Sequence, residues 1–185
     1  MKFKILLRFL CALAVVCLAG SCRARTDRSS GTVILTFGNI TGIPTIVSVG
    51  QTDSGAGQVD IGTFILENFP KDPNGTTSNL QDVELTRYQV TYTRHDTGTR
   101  VPPPLIAAFT LEVPINGSGT ITNLPIVALN QLLSPPLSDL RNFGFDQETG
   151  TAVIVVDAAI QFFGQTISGD SVASPVAVYT LEFTP

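Results

Sequence analysis

Residues 82–94, Asp-Val-Glu-Leu-Thr-Arg-Tyr-Gln-Val-Thr-Tyr-Thr-Arg, decide the fold class. Tyr88, Val90 and Tyr92 alternate with Arg87, Gln89, Thr91 and Thr93, a period of two that sends the apolar side chains to one face of a β-strand. Upstream, Val83 and Leu85 are apolar in the opposite phase. A one-residue slip turns every side chain to the other face, so the two halves share a core only if a bulge lies near Thr86-Arg87.

The same period extends outward from this strand. Before it, Val33, Leu35 and Phe37 alternate with Thr32, Ile34 and Thr36, which predicts a strand buried on both faces. Ile43–Val49 and Val59–Leu66 predict two more. After it, Leu105, Ala107, Phe109, Leu111, Val113 and Ile115 keep one apolar face. Asn116-Gly117 then reads as a hairpin turn into Gly119–Leu124. In Pro125–Leu133 the spacing of Ile126, Leu129, Leu132 and Leu133 fits a short helix started by Pro125 and ended at Pro135-Pro136, with a loop to Thr149. Ala152–Phe163 is nearly continuous in apolar residues, which suits a central strand covered on both faces. Residues 151–166 and 171–184 form a C-terminal hairpin, with Pro175 placing an edge or bulge in its second strand. The expectation is an all-β, antiparallel immunoglobulin-like β-sandwich of about seven to nine strands with one short helix, following an N-terminal signal helix. Tyr88-x-Val90-x-Tyr92 resembles a core strand of fibronectin type III and immunoglobulin-like domains, although the chain lacks the tryptophan those families usually bury.

The other end of the chain has a different character. Lys2, Lys4 and Arg8 precede an uncharged apolar run, Phe9–Ala19, which is shorter than the ~20 residues of a spanning helix. Leu18-Ala19-Gly20-Ser21-Cys22 then resembles the lipobox of bacterial lipoproteins. It departs from that pattern in having Ala19 three places before the cysteine, with the leucine at Leu18. The resemblance implies cleavage before Cys22, recognition through Leu18, Ala19, Gly20 and Ser21, and a diacylated Cys22. Ordinary secretion with a free Cys22, or an uncleaved anchor, are the alternatives. Arg23 stands where an aspartate would retain a lipoprotein at the inner membrane, so the resemblance implies the outer membrane if the cell is Gram-negative. The expected organisation is a signal peptide over 1–21, a polar tether over 22–31 and one β-sandwich domain over 32–185. The overall pattern is similar to that of uncharacterised bacterial lipoproteins, and implies no activity.

Composition narrows function mainly by exclusion. From Gly31 onward there are five bases against fourteen acids, a formal −9, which repels phosphate backbones and argues against nucleic-acid binding. Arg23, Arg25 and Arg28 in the tether are a solvated linker or a contact for anionic lipid heads. Cys11 and Cys17 lie in the leader, so the domain has neither a disulfide framework nor a cysteine-ligated zinc site.

Three classes of function are expected to compete. The first is a non-enzymatic, lipid-anchored envelope domain without cofactor, held at the membrane through its N-terminal lipid and binding an envelope protein or glycan. The second is a calcium-dependent adhesion module using Asp72, Asn74 and Asp82, whose oxygens suit a hard cation. Against it, Asp72-Pro73-Asn74-Gly75 has ordinary β-turn chemistry and EF-hand spacing is absent. The third is a carboxylate-based glycan hydrolase drawing on Asp139, Asp146, Glu148 and Asp157, although no motif pairs them. His95 is the sole histidine and reads as an exposed turn residue. Asp157, a carboxylate in an apolar strand, needs a partner or a rim position.

Overall fold

A computed structural model describes residues 31–50 and 57–185. The lipobox residues Leu18, Ala19, Gly20, Ser21 and Cys22, together with most of the tether, lie outside the described residues.

The strands are β1 (Val33–Thr41), β2 (Ile46–Ser48), β3 (Gln58–Pro70), β4 (Val83–Arg94), β5 (Leu105–Val113), β6 (Gly117–Ala128), β7 (Ile154–Thr166), β8 (Ser171–Ala173) and β9 (Ala177–Thr184). Two short helices, α1 (Leu129–Leu132) and α2 (Leu137–Phe143), separate β6 from β7. One sheet has the order β1-β3-β6; the other has β2-β9-β7-β4-β5, with β8 also on β7. With the three-residue β2 and β8 left out, the seven longer strands lettered A to G in chain order give A-B-E in one sheet and G-F-C in the other. The fourth strand, β5, joins the G-F-C sheet instead of lying beside E, so the strand count per sheet departs from the immunoglobulin pattern.

Face-to-face packing follows from the alternation. Val83, Leu85, Tyr88, Val90 and Tyr92 are all buried, and the register of β4 against both neighbours shifts between Leu85 and Arg87. The bulge that the phase change requires is therefore present. Opposite it, a Cβ on Gly164 would meet Glu84 O at 2.1 Å, so only glycine lets β7 approach there. Phe64 of one sheet and Phe162 of the other sit 5.0 Å apart in the middle of one contiguous core. The two buried tyrosines tie the sheets together: Tyr88 Oη donates to Pro125 O at 2.8 Å, and Tyr92 Oη donates to Ile126 O. Burial pushes the Tyr88 phenol up to about 12 and the Tyr92 phenol higher, so both remain donors at neutral pH.

Several expectations are corrected. β2 is three residues long and runs parallel to β9, so the sandwich is not wholly antiparallel. Asn116-Gly117 is a tight turn with Asn116 at φ 55°, but it carries the chain from one sheet to the other: β5 pairs with β4, and β6 pairs with β3. Pro125 lies within β6, an edge strand whose ladder to β3 shifts at this point, where a missing N–H costs little. The strand continues to Ala128, the helix after it is confined to Leu129–Leu132, and Leu129 and Leu133 are exposed. A second helix, α2, replaces part of the expected loop. It has Asp139 in its first turn, Arg141 in its last and Gly144 as a left-handed cap, which suits the helix dipole and the C-terminal carbonyls. The outer faces of β1 and β7 are only partly covered: Ile34 is exposed, and Val155, Asp157 and Gln161 are half-buried.

Candidate functional site

The long strands give the sandwich two ends. β4 runs from Val83 at the end where Gly31 enters to Arg94 at the far end, and antiparallel β7 runs from Ile154 back to Thr166. The ion-paired arginines, Arg94 and Arg100, lie with their acids at the far end. As the last residue of β4, Arg94 turns its side chain under the 95–100 turn, where it is 2% exposed. Its Nε and Nη2 bind the two oxygens of Asp96 at 2.5 Å each, and Nη2 also lies 2.9 Å from Asp146 Oδ2. Nη1 donates to Arg100 O at 3.2 Å and stands 3.7 Å from Glu148 Oε2. A Cβ on Gly98 would lie 2.3 Å from Arg94 Cζ, so the turn closes over the guanidinium only with glycine there.

Each acid is also held by its loop. Asp146, fully buried, accepts from Thr149 Oγ1 at 2.8 Å and from Thr149 N at 3.2 Å. Glu148 accepts from Thr99 N and Oγ1 at 2.8 and 2.6 Å and from Arg100 N at 2.9 Å, while Arg100 Nη2 lies 3.0 Å from Asp139 Oδ2. These contacts set the charge states. The Arg94 guanidinium holds Asp96 below the usual carboxylate range. Burial would raise Asp146, but the Thr149 hydroxyl and Arg94 outweigh it and leave that carboxyl low as well. Glu148 is lowered by Thr99 and the Arg100 amide.

Three of the four acids expected as hydrolase candidates, Asp139, Asp146 and Glu148, thus come together, bound to Arg94, Arg100 and their loops. A glycoside hydrolase needs one of its carboxyls to stay protonated as the acid. Asp96, Asp146 and Glu148 are shifted the other way, which suits ion pairing rather than proton donation. The fourth, Asp157, is on the outer face of the larger sheet. It stands 2.5 Å from His95 Nε2 and accepts from Thr180 Oγ1 at 2.8 Å, and these bonds lower its pKa. His95 is exposed as expected but is not free of partners, since its backbone N–H also continues the ladder to Val155 O at 3.0 Å.

The Asp72, Asn74 and Asp82 oxygens do not act together. Asp72 Oδ1 accepts from Asn74 N at 3.0 Å within a tight turn, and Asp82 Oδ1 accepts from Ile115 N at 2.8 Å. Among the described residues no three His, Cys, Asp or Glu side chains gather as metal ligands. Two hollows flank β8. One of about 650 Å³ lies by Arg87, Phe163 and Gln165, with the Arg87 guanidinium 4.9 Å above the Phe163 ring. The other, of about 440 Å³, lies by Gly31, Leu35 and Pro175. Neither is lined by an acid or a histidine.

Two groups escaped the sequence reading. Asn68, fully buried at the Gly31 end, donates from Nδ2 to Gln81 O at 3.0 Å and to Val113 O at 3.1 Å. Gln131, 1% exposed, accepts from Ala128 N at 2.7 Å and donates to Pro103 O, fastening α1 to the proline run. Nothing in a single sequence separates these amides from surface residues, because their partners are distant backbone carbonyls. Beside α1 and α2 the far end exposes Leu129, Leu133, Phe143 and Phe145, the two rings 6.4 Å apart.

Comparison of the chain with protein families, with curated proteins and with solved structures found no match.

Proposed function

We propose that the chain is an exported bacterial envelope protein held by lipid on Cys22, and that its sandwich acts by binding an envelope protein or glycan rather than by catalysis. In a Gram-negative cell the membrane is the outer one. The observation that carries this reading is the polarity of the domain. Gly31 joins the tether at one end, while the exposed Leu129, Leu133, Phe143 and Phe145 lie at the other, where an anchored domain meets its surroundings. The arginine-bound acids of that far end serve as a rigid frame for the helices. Among the described residues no helix is long and apolar enough to cross a membrane, so within them attachment has no spanning helix to use.

Metabolic labelling with radioactive palmitate tests the anchor. The wild-type chain is expected to carry label and to fractionate with membranes, and Cys22→Ser to lose both. Label that survives Cys22→Ser overturns the anchor. For the binding surface, a partner captured by the wild-type protein is expected to be lost with Leu133→Asp and retained with an aspartate at an exposed position of the opposite end.

A further inference from the structure

The end of the sandwich that receives the tether carries apolar side chains on loops that are cross-linked through their backbone. Leu80, in the 3-10 turn Asn79–Gln81 just before β4, is 54% exposed, and Ile167, just after β7, is 52% exposed. The two loops are laced together: Ser168 N donates to Leu80 O at 3.0 Å and Ile167 N to Asp82 O at 2.9 Å. Thr166 Oγ1 bonds Ser168 Oγ at 2.8 Å and accepts from Asp170 N at 2.9 Å. At the same end Ile34 and Phe69, direct cross-strand neighbours, are 45% and 43% exposed on the outer face of the smaller sheet. Inserting a loop into a water-poor layer is costly mainly through unpaired N–H and C=O groups. Here Ile167 N, Ser168 N, Leu80 O and Asp82 O are bonded within the protein, and the apolar Leu80 and Ile167 project beside the exposed Asn79, Ser168 and Asp170.

From these features we infer that this end rests on the lipid surface, with Leu80 and Ile167 set into the headgroup–acyl boundary beside the anchor. The inference rests on the lipid-anchor reading of Cys22. Chain length supports it. Lys71 N donates to Thr32 O at 3.0 Å, and a Cβ on Gly31 would sit 3.3 Å from Val172 Cγ2, so the described chain begins packed against this end. From Arg23 to Gly31 the tether reaches about 30 Å when fully extended. β7 alone, at about 3.3 Å per residue, spans about 40 Å. An inverted domain with its Phe143 end on the bilayer would hold Gly31 farther from the surface than the tether allows. Lipid is the partner because the anchor already holds this end at a bilayer. With a domain charge of −9 the seat is apolar rather than electrostatic, and only Arg23, Arg25 and Arg28 favour anionic heads.

The absence of tryptophan from the chain gives a direct test. Leu80→Trp, Ile167→Trp and Leu133→Trp are made singly in the full-length acylated protein. Each is reconstituted into phosphatidylcholine–phosphatidylglycerol vesicles with and without brominated acyl chains. Emission from Leu80→Trp and Ile167→Trp is expected to shift to the blue and to be largely quenched by the brominated lipid, while Leu133→Trp stays at the wavelength of exposed indole. All three positions are exposed, and circular dichroism checks that each variant keeps its strands. Protein that floats with the vesicles but leaves Leu80→Trp and Ile167→Trp unquenched overturns the lipid seat and leaves the anchor standing. Quenching at Leu133→Trp alone overturns the orientation. Protein that does not float with vesicles overturns the anchor, and the seat with it.

Discussion

The two ends of the sandwich solve one problem with different chemistry. At each, loops must close over the core while pairing most of its buried polar groups, although Asn68 Oδ1 at the tether end is buried without a hydrogen-bond partner. The far end does so with charge: Arg94 binds Asp96 and Asp146, and Glu148 and Asp139 are tied to the neighbouring Thr99 and Arg100. The tether end relies mostly on neutral groups: Asn68 bonds Gln81 O and Val113 O, Asn116 N donates to Asn68 O at 2.8 Å, and Ile167 and Ser168 reach across to residues 80–82. Two carboxylates bring charge into that lacing, Asp82 accepting from Ile115 N and Asp170 accepting from Ser168 Oγ at 3.3 Å. A buried charge depends on its counter-charge, whereas a neutral network loses little more than the bonds removed. The ends should therefore fail differently.

Breaking the charged end is expected to give the largest effect. Arg94→Met leaves Asp146 buried without its counter-charge and Asp96 without its bidentate partner, and should cost about 3–5 kcal/mol in urea unfolding. The double variant Arg94→Met/Asp146→Asn should recover part of that loss, because the orphaned charge is gone. A single variant within about 1 kcal/mol of wild type would reduce the ion cluster to the weight of a surface pair.

The neutral end gives a smaller, local effect. Asn68→Ala removes the donor from two main-chain carbonyls at once and should cost about 2 kcal/mol. Hydrogen exchange should speed at the amides of Asn116 and Ile167 and leave Gly98 and Arg100 unchanged. Faster exchange at the Arg94 end in this variant would mean that the two ends are coupled through the sheets rather than independent.

How far each end is legible in the sequence follows from the range of its interactions. The bulge at Thr86-Arg87 is readable because the change of phase from Leu85 to Tyr88 lies within one strand. The sheet crossing at Asn116-Gly117 is not, since a left-handed turn residue has the same chemistry whether the strands it joins pair or part. The apolar run around Pro125 fits a helical face as well as it fits a shifted edge strand, and only pairing with β3 decides between them. Asp157 announces that it needs a partner, but His95 is 62 positions away in sequence, and Asp146 stands 52 from Arg94. The acids could be named as candidates, whereas the arginines that neutralise them emerge only when β4 and the loop before β7 are brought side by side.

Acid distinguishes the two ends without any mutation, and at neutral pH its effect is nil. Asp96 and Asp146 have folded-state pKa values below their ordinary ones, so their ion pairs contribute stability above the unfolded carboxylate value of about 3.9 and lose it as pH falls through the depressed folded values. Below that range protonation releases Arg94 from both acids. The Gly98 amide, which donates to Asp96 Oδ1 at 3.0 Å, and the Thr149 amide, which donates to Asp146 Oδ2, lose charged acceptors together. Ile167 and Ser168, bonded to neutral carbonyls, keep theirs. With intrinsic exchange rates corrected for pH, protection at Gly98 and Thr149 should fall before that at Ile167 and Ser168. Simultaneous loss at all four would mean that acid unfolds the sandwich as one unit, and that the charge cluster does not define a separately labile end.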